Sequence, residues 1–238
     1  MQMNWTEVRL TRTHNKQTTE VTVDAGVVQL NGALVIPPHA QGLVLFAHGS
    51  GSSRLSPRNQ YVADLFHQRR IGTLLFDLLT REEEAADAFA GQLRFDIEFL
   101  AKRLVAATDW AKKHPKAKGL RLGYFGASTG AAAAIVAAAQ RKDIAAIVSR
   151  GGRPDLAERF LPSVRAPTLL IVGGEDTPVI EMNERALAKL DVDKQLVLVP
   201  GASHLFEEPG ALEKVAELAS GWFTQHLRQN EGQSAFLL

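Results

Sequence analysis

Short runs of apolar and β-branched residues alternate along the chain with longer segments whose apolar residues recur every three or four positions. The short runs predict strands and the longer segments predict helices. Strands are expected at Glu20–Val23, Val27–Ile36, Leu43–Ala47, Thr73–Asp77, Leu120–Phe125, Ile144–Ser149, Thr168–Val172 and Gln195–Val199. Helices are expected at Arg58–Arg70, Gln92–Lys113, Thr129–Gln140, Ile180–Leu190 and Leu212–Arg228.

The order of these elements predicts the fold class. The first two strands are joined by Asp24-Ala25-Gly26, a turn sequence typical of an antiparallel hairpin, and strands and helices largely alternate afterwards. We therefore predict an α/β fold with a doubly wound, mainly parallel sheet of about eight strands flanked by helices, as one domain over residues 1–238. Residues 1–17 and 230–238 are expected to be loose termini. Functional residues should follow the carboxyl ends of the strands.

Composition narrows the class of partner. The formal net charge of +1 gives no basic excess for nucleic acid, so we expect a small-molecule partner. The absence of cysteine excludes disulfides, thiolate zinc sites and a cysteine nucleophile. The polar N-terminal sequence lacks the apolar core of a signal peptide, and no apolar run approaches the roughly 20 residues that span a bilayer. We expect a cytoplasmic protein that does not bind membranes.

A candidate nucleophile lies between a predicted strand and a predicted helix. Residues Gly126–Gly130 read GASTG and match the pattern G-x-S-x-G. In this pattern the serine occupies a sharp strand-to-helix turn, where a Cβ on either flanking glycine would collide with neighbouring backbone. The start of the helix also favours negative charge beside Ser128. Ser128 is the predicted nucleophile, and the alternative is a glycine-rich turn with an incidental serine.

A serine nucleophile needs a base and an acid, which in such folds follow it in the order acid, then histidine. Two histidines follow Ser128: His204 lies in the loop after the last predicted strand, whereas His226 lies within the final helix. The preceding predicted strand runs into Glu175 and Asp176. We predict His204 as the base and Asp176 as the acid, with Glu175 as an alternative. A helix-capping Asp176 and a surface His204 are the structural alternatives.

The negative oxygen of a tetrahedral intermediate needs hydrogen-bond donors. One should be the backbone N–H of Thr129, directly after the nucleophile. The other should come from the loop HGSGSS, residues His48–Ser53, with Ser50 as the predicted donor and Gly51 as the alternative. His48 is a possible base, but we favour a structural histidine that stabilises this loop through hydrogen bonds.

Four arginines follow strands at the same predicted edge: Arg54, Arg58, Arg150 and Arg153. Because arginine binds carboxylate or phosphate in a bidentate fork, Arg54 and Arg150 are predicted to bind a negatively charged substrate group. The alternatives are surface solvation and internal ion pairs with Asp77 or Glu82–Glu84. We expect no metal at Glu82–Glu84, because consecutive carboxylates point in different directions.

The stretch between the strands that end near Ser149 and begin near Thr168 is about 18 residues long. It is too short for a folded lid domain. We therefore expect a fairly open site with little burial of the substrate.

The segments FAHGSGSS, GYFGASTG, VGGEDTPV and PGASHLFEEPG together resemble the α/β-hydrolase superfamily. The compact layout and the stretch LLFDLLTREEE are similar to its dienelactone-hydrolase-like branch. The resemblance runs from about Val21 to Leu227 and implies a catalytic triad of Ser128, Asp176 and His204, with no metal or organic cofactor. Dienelactone hydrolases proper use a cysteine nucleophile, which this chain lacks, so the serine chemistry of esterases is favoured.

The sequence therefore predicts a serine hydrolase that cleaves carboxylic esters or lactones through an acyl-enzyme. Two alternatives remain. One is another enzyme with the same triad, namely an amidase, peptidase, acyltransferase or phosphotriesterase. The other is a ligand-binding homologue without catalysis. A homodimer is possible.

Overall fold

The apolar runs of the sequence form one eight-stranded sheet in the computed structural model, which describes residues 18–228. The strands are β1 (Thr19–Asp24), β2 (Gln29–Val35), β3 (Gly42–Ala47), β4 (Ile71–Phe76), β5 (Leu122–Ala127), β6 (Ile144–Arg150), β7 (Thr168–Gly173) and β8 (Lys194–Val199). The helices are α1 (Pro57–Gln68), α2 (Arg81–Ala90), α3 (Ile97–Lys113), α4 (Thr129–Ala139), α5 (Thr177–Lys189) and α6 (Ala211–Leu227). Short 3-10 segments lie at Leu93–Phe95 and Pro154–Ser163.

The strand order in the sheet is β1-β2-β4-β3-β5-β6-β7-β8. β1 pairs antiparallel with β2, and β2 pairs antiparallel with β4, whereas all other neighbouring strands are parallel. The predicted doubly wound, mainly parallel sheet with an antiparallel start is confirmed. The carboxyl ends of β3 to β8 consequently share one edge of the sheet, where chemistry is expected.

Two apolar layers hold the helices against the sheet. On one face, leucine and alanine side chains of α3 and α4 pack against the strands, and α4 is buried from Thr129 to Ala138. On the other face, α1 and α6 cover an aromatic cluster in which Phe66 contacts Phe46, Phe125 and Phe223, with ring centroids 5.6–5.8 Å apart. Because both faces are covered, the central strands are apolar on both sides.

Helix α2 is the main element that the apolar pattern did not predict. It is polar, and among its residues only Asp87 is buried. A capping box begins the helix: Thr80 Oγ1 accepts from the backbone N–H of Glu83, and the Glu83 carboxylate accepts from the backbone N–H of Thr80. Glu83 also pairs with the nearly buried Arg103 of α3 at 2.5 Å. These polar contacts hold the helix where an apolar stripe is lacking.

The segment between β6 and β7 contains only the 3-10 stretch Pro154–Ser163, which packs onto the α4 side of the sheet through Ala157 and Leu161. It carries no folded lid domain, as expected from its length. Residues 1–17 and 230–238, expected to be loose termini, lie outside the described residues. Within residues 18–228 no helix is long and apolar enough to cross a membrane.

Candidate active site

Ser128 occupies a strained turn between β5 and α4. Its backbone angles are φ 51° and ψ −122°, a region that residues with a side chain rarely adopt, at a cost of about 1–3 kcal/mol. The flanking glycines make this turn possible. A Cβ on Gly126 would lie 2.4 Å from Cα of Ala131, and a Cβ on Gly130 would lie 2.1 Å from the carbonyl oxygen of Ala47. The predicted elbow geometry is therefore present, with Ser128 only partly exposed.

The loop after β6 supports the elbow from one side. The Ser128 N–H donates to the carbonyl oxygen of Arg150, and the Arg153 N–H donates to the carbonyl oxygen of Ser128, each at 3.2 Å. The first turn of α4 adds a third bond, from the Ala131 N–H to the same Ser128 oxygen at 3.1 Å. These bonds satisfy the backbone at the strained residue and oppose its relaxation.

The predicted acid and base are in direct contact. His204 Nδ1 lies 2.6 Å from Oδ2 of Asp176. Because an ionised carboxylate can only accept, Nδ1 carries the proton and Nε2 is left with a lone pair. Asp176 exposes 13% of its side chain and His204 exposes 38%, so the pair sits at the rim of the site. Glu175, the alternative acid, is exposed, and its backbone N–H donates to Ala202.

Backbone contacts place His204 near the elbow. Gly151 has a φ of 50° and its N–H donates to Ile171 of β7. A Cβ on Gly151 would lie 3.5 Å from both Cε1 and Nδ1 of His204. Gly151 directly follows Arg150, whose carbonyl oxygen accepts from the Ser128 N–H. His204 and Ser128 therefore both contact the loop that follows β6. Within residues 18–228 no hydrogen bond joins Ser128 to His204, and contacts of this kind are often long until substrate binds.

The loop after β3 lies against the nucleophile. A Cβ on Gly49 would lie 3.1 Å from Cβ of Ser128. The backbone N–H of Ser50, the predicted oxyanion donor, donates to Oγ1 of Thr129 at 2.8 Å. The N–H of the alternative donor, Gly51, makes no hydrogen bond in the described part of the chain. The sequence predicted a role only for the backbone N–H of Thr129, whereas the structure also places its side chain against this loop.

His48 has a structural role. Its Nδ1 donates to the carbonyl oxygen of Gly49 at 3.0 Å, so Nε2 accepts from the N–H of Leu78, also at 3.0 Å. Burial of the ring lowers the pKa of His48 below its usual value. A neutral ring that ties the end of β3 to the segment after β4 agrees with the interpretation of His48 as a loop-stabilising residue.

Three of the four arginines at this edge already have carboxylate partners. Arg54 binds Asp77 twice, through its backbone N–H at 2.8 Å and through Nη1 at 2.6 Å. Arg58 pairs with Glu207 at 2.9 Å. Arg153 forms a bidentate pair with Asp155, with distances of 2.9 and 2.8 Å. The internal ion pair with Asp77, one of the alternatives for Arg54, is thus present.

Arg150 differs from these three. It exposes 8% of its surface, and its Nη1 has no hydrogen-bond partner among the described residues. Burial, together with the nearby charge of Arg58, lowers the pKa of Arg150 to about 10. A buried cation without a carboxylate partner is costly, and among the described residues Arg150 has no ion pair.

A cavity of about 210 Å³ opens beside the oxyanion loop. The loop from His48 to Ser53 forms one wall, and Glu84, Asp87 and Arg94 contribute to the opposite wall. The carboxylate of Asp87 accepts from the Leu93 N–H at 2.6 Å and from Nε of Arg94 at 2.7 Å, which fixes this wall. Helix α2, which the apolar pattern did not predict, therefore borders this cavity, whereas Ser128 and His204 are not among the residues that line it.

The sequence and the fold were compared with those of known proteins. The sequence model of the Dienelactone hydrolase family matches residues 62–229. The chain belongs to this family. A crystal structure of dienelactone hydrolase from Anabaena variabilis is 61% identical to it, with a TM-score of 0.89, covering 90% of this chain and 100% of that one. Est1E from Butyrivibrio proteoclasticus shares the fold at 17% identity, with a TM-score of 0.73, covering 87% of this chain and 98% of Est1E.

A curated relative bears a different name. A Mycobacterium tuberculosis protein named provisionally as a phosphoribosyl transferase is 57% identical over 209 residues. The match covers 87% of this dienelactone hydrolase family member and 46% of the relative, so the chain spans about half of that protein. The family match and the shared topology show a Dienelactone hydrolase family member with an α/β-hydrolase fold.

Proposed function

We propose that this hydrolase cleaves carboxylic esters or lactones through an acyl-enzyme on Ser128. The observation that carries the proposal is the strained backbone of Ser128 at the head of α4, at φ 51° between two glycines that cannot bear a Cβ. A glycine would adopt these backbone angles without strain. A serine at this position therefore indicates that its side chain is needed there.

The proposed cycle uses the residues around the elbow. His204 Nε2 takes the proton of Ser128 as Oγ attacks the acyl carbon, and Asp176 stabilises the imidazolium. The backbone N–H of Thr129 and a second donor, supplied where Thr129 meets the Ser50–Gly51 loop segment, bind the developing oxyanion. The imidazolium then protonates the leaving alkoxide, and water repeats the attack on the acyl-enzyme with the same base.

The decisive experiment compares the wild type with Ser128→Ala on p-nitrophenyl esters of increasing chain length and on simple lactones. We expect turnover to fall by about 10³-fold or more. A fluorophosphonate probe should label the wild type on Ser128 and leave the variant unlabelled. Near-native turnover by Ser128→Ala would refute the acyl-enzyme. Wild type that is neither active nor labelled would favour the ligand-binding homologue.

Other reactions of the same triad differ in their products. Amides, peptides, acyl acceptors and phosphotriesters should therefore be tested beside esters. A phosphoribosyl transfer is not proposed, because a serine, histidine and aspartate arranged in this way transfer acyl groups, and the relative with that name is about twice as long as the matched 209 residues. The cytoplasmic location and a possible homodimer stay predictions.

Arg54 and Arg150 are the proposed residues for an anionic substrate group, and the contacts favour Arg150. Arg54 is held twice by Asp77, whereas Arg150 has no carboxylate partner among the described residues. Arg150→Met should lower kcat/KM at least about tenfold more for esters that carry a carboxylate than for neutral esters, or about 1.4 kcal/mol. Arg54→Met is the matched comparison. Equal losses on both kinds of ester in both variants would refute anion recognition.

A further inference from the structure

The side chain of Thr129 lies between the two parts of the proposed oxyanion hole. Its Oγ1 accepts the backbone N–H of Ser50 at 2.8 Å, across 79 positions of the sequence. Thr129 is buried, with 4% of its surface exposed. The N–H of Ser50 therefore already has a neutral hydroxyl as its acceptor.

This contact leaves a different donor available. A hydroxyl has one proton to donate and two lone pairs that accept. Thr129 Oγ1 uses a lone pair toward Ser50, and within residues 18–228 no acceptor takes its proton. The backbone N–H of Thr129 is also free of an intrahelical partner, because it is the first residue of α4. One residue thus presents two unused protons beside the nucleophile.

We infer that the hydroxyl of Thr129 is a catalytic donor of the oxyanion hole, and that the Ser50 N–H acts through it rather than on the substrate. This inference rests on the proposed acyl-enzyme function. A hydroxyl that accepts a hydrogen bond becomes a stronger donor, because successive hydrogen bonds polarise one another. The oxyanion would then be bound by Oγ–H and N–H of Thr129, at the positive end of the α4 dipole.

The chemical step balances without proton transfer from Thr129. The bond from Ser128 Oγ to the acyl carbon forms, and the π electron pair of the carbonyl moves onto its oxygen. The proton of Ser128 goes to His204. Thr129 keeps its proton and only donates a hydrogen bond, and the pair returns to the carbonyl when the leaving alkoxide departs with the proton from His204.

The test exchanges the hydroxyl of Thr129 for a methyl group of similar shape. Thr129→Val removes the donor and releases the Ser50 N–H, whereas Thr129→Ser keeps the hydroxyl. If the hydroxyl binds the oxyanion, Thr129→Val should lose about 10²-fold in kcat with little change in KM, and Thr129→Ser should retain at least about tenfold more kcat than the valine variant. If Thr129 only occupies the hole and Ser50 donates directly, Thr129→Val should be as active as wild type or more active.

A trifluoromethyl ketone gives a second readout, because it forms a stable oxyanion on the serine. Its inhibition constant should rise in Thr129→Val in parallel with the loss in kcat/KM. Thr108→Val is the matched control: the Thr108 hydroxyl is buried and bonded to Tyr124 OH at 2.6 Å, in the core of α3 and β5. That variant should lower the melting temperature and leave kcat within about twofold.

The outcomes separate this inference from the proposed function. If the probe labels Ser128 in the wild type and labels Thr129→Val at the same rate, the role of the hydroxyl is overturned and the proposed acyl-enzyme stands. Absence of both labelling and turnover in the wild type would overturn both proposals together. A loss of kcat in Thr129→Val that Thr129→Ser does not recover would assign the effect to packing and would also overturn the role of the hydroxyl.

Discussion

Replacing Asp176 by asparagine tests the acid of the proposed triad. The Asp176 carboxylate lies 2.6 Å from His204 Nδ1, and its side chain is 13% exposed, against 38% for His204. At an effective dielectric constant of about 20, a pair of unit charges about 4 Å apart interacts by roughly 4 kcal/mol. Solvent at the partly exposed His204 screens this interaction to about 3–4 kcal/mol. Loss of that energy from the transition state corresponds to about a 10²–10³-fold lower kcat. Loss of the carboxylate also allows the wrong tautomer, so we expect kcat to fall by about 10³-fold or more.

The assay is steady-state hydrolysis of p-nitrophenyl acetate, with melting temperatures measured in parallel. Glu175→Gln is the matched control, because it makes the same chemical change at the neighbouring, exposed carboxylate. Its kcat should stay within about threefold of wild type. A loss below tenfold for Asp176→Asn, or a larger loss for Glu175→Gln than for Asp176→Asn, would refute the assignment of the acid.

Three further predictions concern the framework. Gly130→Ala places a Cβ 2.1 Å from the carbonyl oxygen of Ala47 and should lower the free energy of unfolding by about 3 kcal/mol or more. At Gly51 a Cβ meets nothing within 4 Å, so Gly51→Ala should cost only about 1 kcal/mol, for its φ of 70°. Thermal melts of the two variants make the comparison. Phe66→Ala, at the centre of the aromatic cluster, should cost about 3–5 kcal/mol in urea denaturation. Burial lowers the pKa of His48 below its usual value of 6.5, so at acid pH the unfolded chain takes up a proton at His48 more readily than the folded chain does. The free energy of unfolding should therefore decrease as the pH falls below about 6.5. This decrease should be less steep in His48→Gln.

Each of these predictions has a contrary result. Equal melting temperatures for the two alanine variants would show that the elbow is not tightly packed. A Phe66→Ala cost below about 1 kcal/mol would show a loosely packed cluster. An identical acid slope in wild type and His48→Gln would show that the ring of His48 does not remain neutral in the fold.

The fold followed from local patterns, and so did the choice of the candidate site residues. Buried strands are continuous apolar runs, so Leu43–Ala47 and Thr168–Val172 were located to within a residue of their observed ends. The glycine pattern around Ser128 reports a backbone angle that few sequences tolerate, so it located the elbow. Chain order then pointed to the carboxyl ends of β7 and β8 for the acid and the base.

The missing parts depend on contacts between distant segments. Helix α2 lacks an apolar stripe, and its sequence signals lie at its ends, in the capping box Thr80…Glu83 and in Gly91, which ends the helix in a left-handed conformation. The pairing of Arg54 with Asp77 was among the alternatives, but which arginine would keep an unbonded charge depended on tertiary structure. The bond between Ser50 and Thr129 joins residues 79 positions apart, and no local pattern encodes it.

The glycine contacts at the carboxyl edge have a consequence for how the proposed activity would be lost on heating. At Gly130 and Gly173 two backbone segments meet with no side chain between them, and an added carbon would lie 2.1 and 2.4 Å from the oxygens of Ala47 and Ala202. The nucleophile, the oxyanion loop and the histidine loop are thus joined directly to the assembled ends of the central strands. A partly opened sheet would separate them all at once. If the proposed function is correct, turnover should be lost when these strand ends separate, and thermal inactivation should coincide with the cooperative loss of secondary structure.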